Sequence, residues 1–280
     1  MRYLILQHPG HNRVYFKASE ALALAELTLI ANRLSTEAEQ PKALELAGIR
    51  YFYLETDSAL LPEDLYLLWR FSFFFALFEL DGDIDQGLFR PVLVPSTHYV
   101  DPKISSLLKY SGKTNELFTK LMLNVAWLAS DFTQEEHLQL LDPVAGRGTT
   151  LYEAVIHGFD AYGIDVEKKA IHEAAVFFKK YLEQERLKHL SDKRIIHRNE
   201  NGQTIQIQEF KYARNKEEFK REGGSKQLGL IVGEAQQTLA YFKKPRFHLL
   251  VGDLPYGIQH GSRHQQGQSR NPVDFLLACG

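Results

Sequence analysis

The residue types best suited to chemistry lie between Leu140 and Ile171, in the run LLDPVAGRGTTLYEAVIHGFDAYGIDVEKKAI. A short apolar strand ends at Leu141 and turns through Asp142-Pro143-Val144-Ala145-Gly146-Arg147-Gly148, and a helix starts near Thr149. Glycine in such a turn admits positive φ and lets a ligand approach the backbone. The helix start adds N–H groups that have no partner within the helix. Further along, Gly163-Ile164-Asp165 ends a second strand on a carboxylate. An acid there can accept both hydroxyls of an adenosine ribose, each charge-assisted bond contributing about 1.5–3 kcal/mol. Taken alone, Gly146-Arg147-Gly148 reads equally well as a tight turn that holds nothing. A dinucleotide fingerprint requires a third small residue, and Leu151 stands in that place. A phosphate loop requires Gly-Lys-Ser/Thr, which does not follow.

The combination Asp-Pro-x-x-Gly-x-Gly-Thr-Thr, followed by an acid at the next strand end, resembles motif I and the acidic loop of class I S-adenosylmethionine-dependent methyltransferases. That resemblance implies S-adenosyl-L-methionine as cofactor. Asp142, Ala145, Gly146, Arg147 and Gly148 would line its methionine end, with Thr149 at the helix start, and Asp165 would hold the ribose. Glu234 and Ala235, which end the strand Leu228 to Val232, match the acidic-plus-Ala pair the family has beside the adenine. Lys113 and Thr114, in Tyr110-Ser111-Gly112-Lys113-Thr114-Asn115, would floor the cofactor by the same resemblance. On its own residues that segment reads equally as a solvated helix start with Thr114 as cap.

A further strand, Phe247 to Val251, ends in Gly252-Asp253-Leu254-Pro255-Tyr256-Gly257. Alone this is a strand-to-turn junction. After motif I it resembles the (Asp/Asn)-Pro-Pro-Tyr motif of methyltransferases that act on exocyclic amines. Such a nitrogen donates its lone pair into the ring and is a poor nucleophile, so it needs acceptors that hold its N–H groups. By the resemblance, Asp253 and the carbonyl of Leu254 supply them, Pro255 stiffens the turn, and Tyr256 stacks on an extruded base, worth about 1–3 kcal/mol. Leu254 departs from the usual proline, which leaves the carbonyl but loosens the loop. Residues 105–260 together resemble an RNA methylase family that includes tRNA guanine-N2 methyltransferases related to THUMP-domain enzymes. The resemblance implies methyl transfer to guanine N2 in tRNA. Adenine-N6 transfer on DNA or RNA, and a non-catalytic binding or assembly module, are the alternatives.

These residues need elements to carry them. The alternation of strand and helix from about residue 113 onward predicts an α/β fold with parallel strands and crossover helices, a Rossmann-like doubly wound sheet. Residues 1–95 read as a separate small α/β domain and 96–112 as a polar linker. In the first domain the pattern predicts strands at Tyr3–Leu6, Val14–Phe16 and Ile49–Leu54. It predicts a helix from Glu20 to about Leu34 capped by Ser19, and a buried helix over Leu65–Leu80 ended by Asp81-Gly82-Asp83. A complete methyltransferase sheet requires strands after Tyr256, yet few residues remain and Phe275 to Gly280 reads as the middle of a helix. The expectation is a C-terminally incomplete sheet, finished by a missing segment or by a protein partner, with the strand before Asp253 as an open edge.

The insertion at 191–226 reads as a hairpin with its tip at Asn199-Glu200-Asn201-Gly202. It carries nine basic and six acidic side chains in a chain of net charge −2, whose first 95 residues hold eight basic and thirteen acidic ones. RNA contact is therefore expected from Arg194, Arg198, Lys211 and Arg214, with Phe210 and Tyr212 interleaved, and from Arg263 beyond the Asp-x-Pro-Tyr motif. A solvated surface excursion is the plainer alternative. His260 and His264 sit in a loop-like context, and no Cys or His cluster has zinc spacing. The single Cys279 forms no internal disulfide. The most apolar run carries Arg70 and is too short to span a bilayer, so the reading is a cytoplasmic protein without a membrane role.

Overall fold

The computed structural model describes residues 1–9, 13–84, 86–110, 112–198, 202, 204–242, 247–254, 262–263 and 269–270. The chain divides into two compact units, one of Met1–Thr97 with Lys120–Asp131, the other of His98–Thr119 with Phe132–Gly280.

In the first unit the elements are β1 (Arg2–Gln7), α1 (Arg13–Ala31), β2 (Lys42–Leu46), β3 (Ile49–Glu55), α2 (Pro62–Arg70), β4 (Phe74–Asp81) and β5 (Leu88–Val92). The strands form one antiparallel sheet in the order β2-β3-β1-β4-β5. Val14–Phe16, expected as a strand, is the first turn of α1, and Ser19 is buried inside that helix rather than capping it. The Ala- and Leu-rich stretch that follows has high helix propensity and carries the helix back through the three β-prone residues.

The apolar run Leu65–Leu80, expected as one helix, is half helix and half strand. Helix α2 starts at Pro62, with the Asp64 carboxylate accepting from Leu61 N–H at 2.8 Å. It stops at Phe71, and the next N–H, that of Ser72, goes to Glu26 Oε1 at 3.0 Å instead of continuing the helix. The aromatic residues beyond suit a pleated surface, and β4 pairs with both β1 and β5. A run apolar at nearly every position carries no period to separate the two structures.

Glu26 is wholly buried where α1 meets that turn. Its Oε1 accepts from Ser72 N, Ser72 Oγ at 2.8 Å and Asn124 Nδ2 at 2.8 Å. Arg70, also buried, lays its guanidinium over Trp127 at 4.0 Å from the ring centroid.

The second unit begins with α3 (Lys103–Leu107). Next comes α4 (Glu116–Leu128), whose residues from Lys120 on group with the first unit. Then follow β6 (Gln139–Asp142), α5 (Thr149–Ile156), β7 (Asp160–Asp165), α6 (Lys168–Gln184), β8 (Lys188–Arg198), β9 (Thr204–Ala213), α7 (Lys216–Lys220), β10 (Lys226–Val232), a 3-10 turn at Ala235–Gln237, α8 (Thr238–Tyr241) and β11 (Leu249–Leu250). Two short strands, β12 (Ser262–Arg263) and β13 (Ser269–Arg270), pair with each other. The main sheet runs β11-β6-β7-β10-β9-β8. Its four strands β11, β6, β7 and β10 are parallel, and β9 and β8 continue it antiparallel.

The insertion thus extends the sheet, with β8 as its largely exposed edge strand and the aromatic residues of β9 turned into the core. Phe210 and Tyr212 are buried, with Phe178 of α6 packed edge-on against both at 5.3 and 5.4 Å between ring centroids. Ile207 pairs with Ile231 and joins Leu141, Tyr162, Ile164, Tyr241 and Phe242 in the core of the other face. Apolar side chains on both faces of β9 require cover on both, which a sheet interior supplies. Among the described residues no helix is long and apolar enough to cross a membrane. The hairpin tip Asn199–Asn201, His260, His264 and the segment Phe275–Gly280 with Cys279 lie outside the described residues.

Burial lifts the Glu26 carboxyl to about 7 from an ordinary value of 4.5, despite the donors around it. A carboxyl that binds its proton more tightly when folded loses stability as pH rises from the unfolded value to the folded one. The first unit should therefore weaken between pH 4.5 and 7, by up to ~3 kcal/mol. Glu26→Gln should abolish that fall and leave the variant the more stable above pH 7. Both tryptophans, Trp69 and Trp127, belong to this unit. Denaturant unfolding followed by tryptophan fluorescence at pH 4.5, 6 and 8 checks it; a wild-type curve flat across that range would refute it.

Candidate functional site

The parallel strands β6, β7, β10 and β11 present their C-terminal ends on one side of the sheet. Strand order runs from β6 to β7 and β10, then reverses, so that β11 lies on the other side of β6. In open α/β sheets the crevice beyond the strand ends at such a reversal is where ligands bind. The four strands end at, or one to three residues before, Asp142, Asp165, Glu234 and Asp253.

The loop after β6 is held by its neighbour. Ala145 N–H donates to Ile164 O at 2.9 Å and Gly146 N–H to Asp165 Oδ2 at 2.8 Å. Gly146 has φ +52°, and a Cβ built there meets nothing within 4 Å, so its backbone faces open space. Gly148, at φ +90°, precedes the first residue of α5, with the Tyr152 ring 3.0 Å from where its Cβ would stand. Gly163 of β7 admits the loop from beneath: a Cβ there would sit 2.6 Å from Leu151 Cδ1 and 2.7 Å from Ala145 Cβ.

Asp165 already accepts one backbone N–H on each oxygen, from Gly146 and, at 2.8 Å, from Glu167. Each carboxylate oxygen keeps a second lone pair for a further donor. Burial raises its carboxyl above the ordinary range. Gly233 N–H donates to Asp165 O at 3.0 Å, which brings the Glu234-Ala235 turn beside it. Glu234 N–H in turn donates to the Tyr241 hydroxyl at 3.0 Å.

Asp142 is buried, and its Oδ1 accepts from Val144 N–H at 3.0 Å. Burial pushes its carboxyl up to about 7, with Asp165 and Asp253 adding repulsion. Gly252 lies directly over it; a Cβ at that position would be 2.8 Å from Asp142 Oδ1. The next residue, Asp253, accepts from the Thr114 hydroxyl on Oδ2 at 2.6 Å. Asn115, not Thr114, caps α4, accepting from Leu117 N–H and Phe118 N–H at 2.9 and 3.2 Å.

The structure thus brings together Thr114, Asp142, Ala145 to Thr149, Asp165, Glu234, Ala235 and Asp253. Leu254 follows on the same loop, and Pro255 and Tyr256 lie outside the described residues. Lys113 points its ammonium to the Ser105 carbonyl and to Glu116. Arg147 leaves the loop to pair with Glu173 of α6, its guanidinium 4.6 Å from the Tyr110 ring centroid. Tyr110 also shares a 2.9 Å hydrogen bond with Thr149 Oγ1. Sequence reasoning missed Glu173, Gly163 and Gly252. The two glycines carried a readable signal, since glycine inside or at the end of a strand marks close approach, whereas a helical Glu carries none.

The basic residues of the hairpin do not form a free cluster. Arg194 makes a bidentate pair with Glu209 at 2.7 Å for both contacts, and Arg214 pairs with Glu218 while lying over Tyr99. Lys211 lies over Phe219 at 5.3 Å, Arg198 is exposed at the end of β8, and Arg263 is in β12. Among the described residues no group of acidic, His or Cys side chains is arranged to hold a metal ion.

Gly163→Ala should cost about 1–3 kcal/mol through overpacking and displace the loop at Ala145. A thermal denaturation that leaves the variant within error of wild type would show that the close approach is relieved at no cost. No protein-family model matches the chain, and no curated protein matches it.

Proposed function

We propose that this chain is a class I S-adenosylmethionine-dependent methyltransferase, with a Rossmann-like catalytic unit, that methylates an exocyclic amino group of an RNA base, guanine N2 in tRNA. The observation that carries the reading is the tie between the loop that would line the methionine end and the acid that would hold the ribose: the Gly146 N–H on Asp165 Oδ2, at the strand-order reversal that also bears Asp253.

The residues present fit the cofactor. Open space over Gly146 admits a ligand against the loop backbone. The remaining lone pairs of Asp165 suit the two ribose hydroxyls, and the buried Asp142 suits the cationic methionine end. Arg147 would otherwise bring a positive charge to that end, and its pairing with Glu173 directs it elsewhere. When bound, the cofactor supplies an electrophilic methyl: the base nitrogen forms the new N–C bond as the C–S bond breaks and its electron pair stays on sulfur. Asp253 accepts an N–H of the amine, which localises the lone pair on nitrogen, and takes the proton that the methylated nitrogen sheds. The carbonyl of Leu254 accepts the second N–H, with Pro255 and Tyr256 in the roles their motif implies. RNA would reach the site past the tip of the hairpin, where Arg198 is exposed and Arg194 would exchange its carboxylate partner for phosphate; Lys211 and Arg214 stand toward the other end of the sheet, where β9 pairs with the start of β10.

Calorimetric titration with S-adenosylmethionine should show binding that Asp165→Ala abolishes. Asp142 begins with its carboxyl near 7, and a cation beside it favours the ionised form, so binding releases a proton. Affinity should therefore rise from pH 6 to pH 8, and Asp142→Asn should flatten that rise. Nucleoside mass spectrometry after incubation with tRNA and with DNA should find N2-methylguanosine in the tRNA alone. N6-methyladenosine instead would overturn the choice of base, and absence of cofactor binding would overturn the whole reading.

A further inference from the structure

Thr114 and Asp253 lie 139 residues apart, and the 2.6 Å hydrogen bond between them joins the segment before α4 to the end of β11. A carboxylate only accepts, so the hydroxyl is the donor and Oδ2 is the occupied oxygen. Asp253 needs such a partner because it stands in a loop after a strand of two residues, where the backbone does little to aim a side chain. Thr114 is well fixed to provide it. Asn115 next to it caps α4 and also accepts from Thr119 N–H on its carbonyl at 2.9 Å. Lys113 on the other side is anchored by its ammonium to Ser105 and Glu116. The β-branched threonine itself has a stiff χ1. The preceding residue, Gly252, packs its backbone against Asp142, where a Cβ would stand 2.8 Å from Oδ1.

We infer that Thr114 is the positioning residue for Asp253: its hydroxyl holds Oδ2 so that Oδ1 faces the amine of the acceptor base. This rests on the methyltransferase reading and deepens it, since it assigns the two oxygens of one carboxylate to different partners. The residue itself touches neither the base nor the methyl group. Its role is to keep one acceptor lone pair aimed where a displaced carboxylate would turn away.

The test is steady-state and single-turnover methylation of tRNA by the full chain with Thr114→Val, Thr114→Ser, Asp253→Asn and the double variant Thr114→Val/Asp253→Asn. Thr114→Val should lower kcat about 10–100-fold, the cost of a misaimed group, while KM for tRNA and the melting temperature change little. Thr114→Ser, which keeps the hydroxyl, should recover most of kcat. In the Asp253→Asn background Thr114→Val should cost little more, because coupled residues are not additive. The idea fails if Thr114→Val keeps wild-type kcat, if serine rescues nothing, or if the two substitutions multiply. A double-variant cycle on unfolding reads the hydrogen bond without activity, and independent effects there would remove the contact itself. Wild-type protein that binds the cofactor but methylates no nucleic acid overturns the functional reading, and a retained coupling on unfolding would then make Thr114 structural only.

Discussion

Everything at the candidate site depends on the attachment of one loop to one strand end. Ala145 N–H on Ile164 O and Gly146 N–H on Asp165 Oδ2 lock the turn after β6 against the end of β7. The bond to Asp165 is charge-assisted and half-buried, the setting in which a hydrogen bond is strongest. Gly163 makes it geometrically feasible, because any side chain there would occupy the volume of Ala145 and Leu151. From that lock the positive φ of Gly146, the start of α5 and the open space over the loop all follow.

The acids around this loop have unequal environments. Asp142 is buried beneath Gly252 and sits near neutrality in its titration, whereas Asp165 is raised by burial and steadied by two backbone donors. Asp253, at the third corner, takes its hydrogen bond from a side chain. Desolvation is the chief cause of both shifts, and repulsion from neighbouring acids is a lesser addition. A positive charge beside Asp142 would favour its ionised form.

Much of this was legible in the residues. Gly146, Gly148 and Asp165 announced a loop and an acid at consecutive strand ends, because those types answer to backbone geometry and to exposed N–H groups, which a short window specifies. The ends of β10 and β11 were legible for the same reason. The apolar run Leu65–Leu80 was not, because neither period is visible where nearly every residue is apolar; the switch from helix to strand is decided by Glu26, distant in sequence, capturing Ser72. Ser19 misled in a similar way, having the chemistry of a cap and the position of a core residue. The hairpin was seen, but not its place in the sheet. Its basic residues are the ones a sequence reader notices, whereas Ile207, Phe210 and Tyr212 decide where it goes.

The hairpin also bears on how far charge can be read as function. Arg194 and Arg214 stand in a basic stretch, yet each is matched by a glutamate placed by β-pairing or by a short helix turn, Glu209 across from Asp192 and Glu218 four residues on. The partly exposed Arg194–Glu209 pair contributes little to stability, on the order of 0–1 kcal/mol, so it gives way readily to a phosphate, whereas Glu218 is buried and its pair with Arg214 is costly to break. The same feature therefore weakens the bland electrostatic argument and supports a conditional one. Neither arginine broadcasts a positive field, but an RNA backbone brought near by other contacts would find Arg194 cheap to recruit. Specificity would then have to come from the strand ends, where Asp253 is held by Thr114, and not from the basic rim.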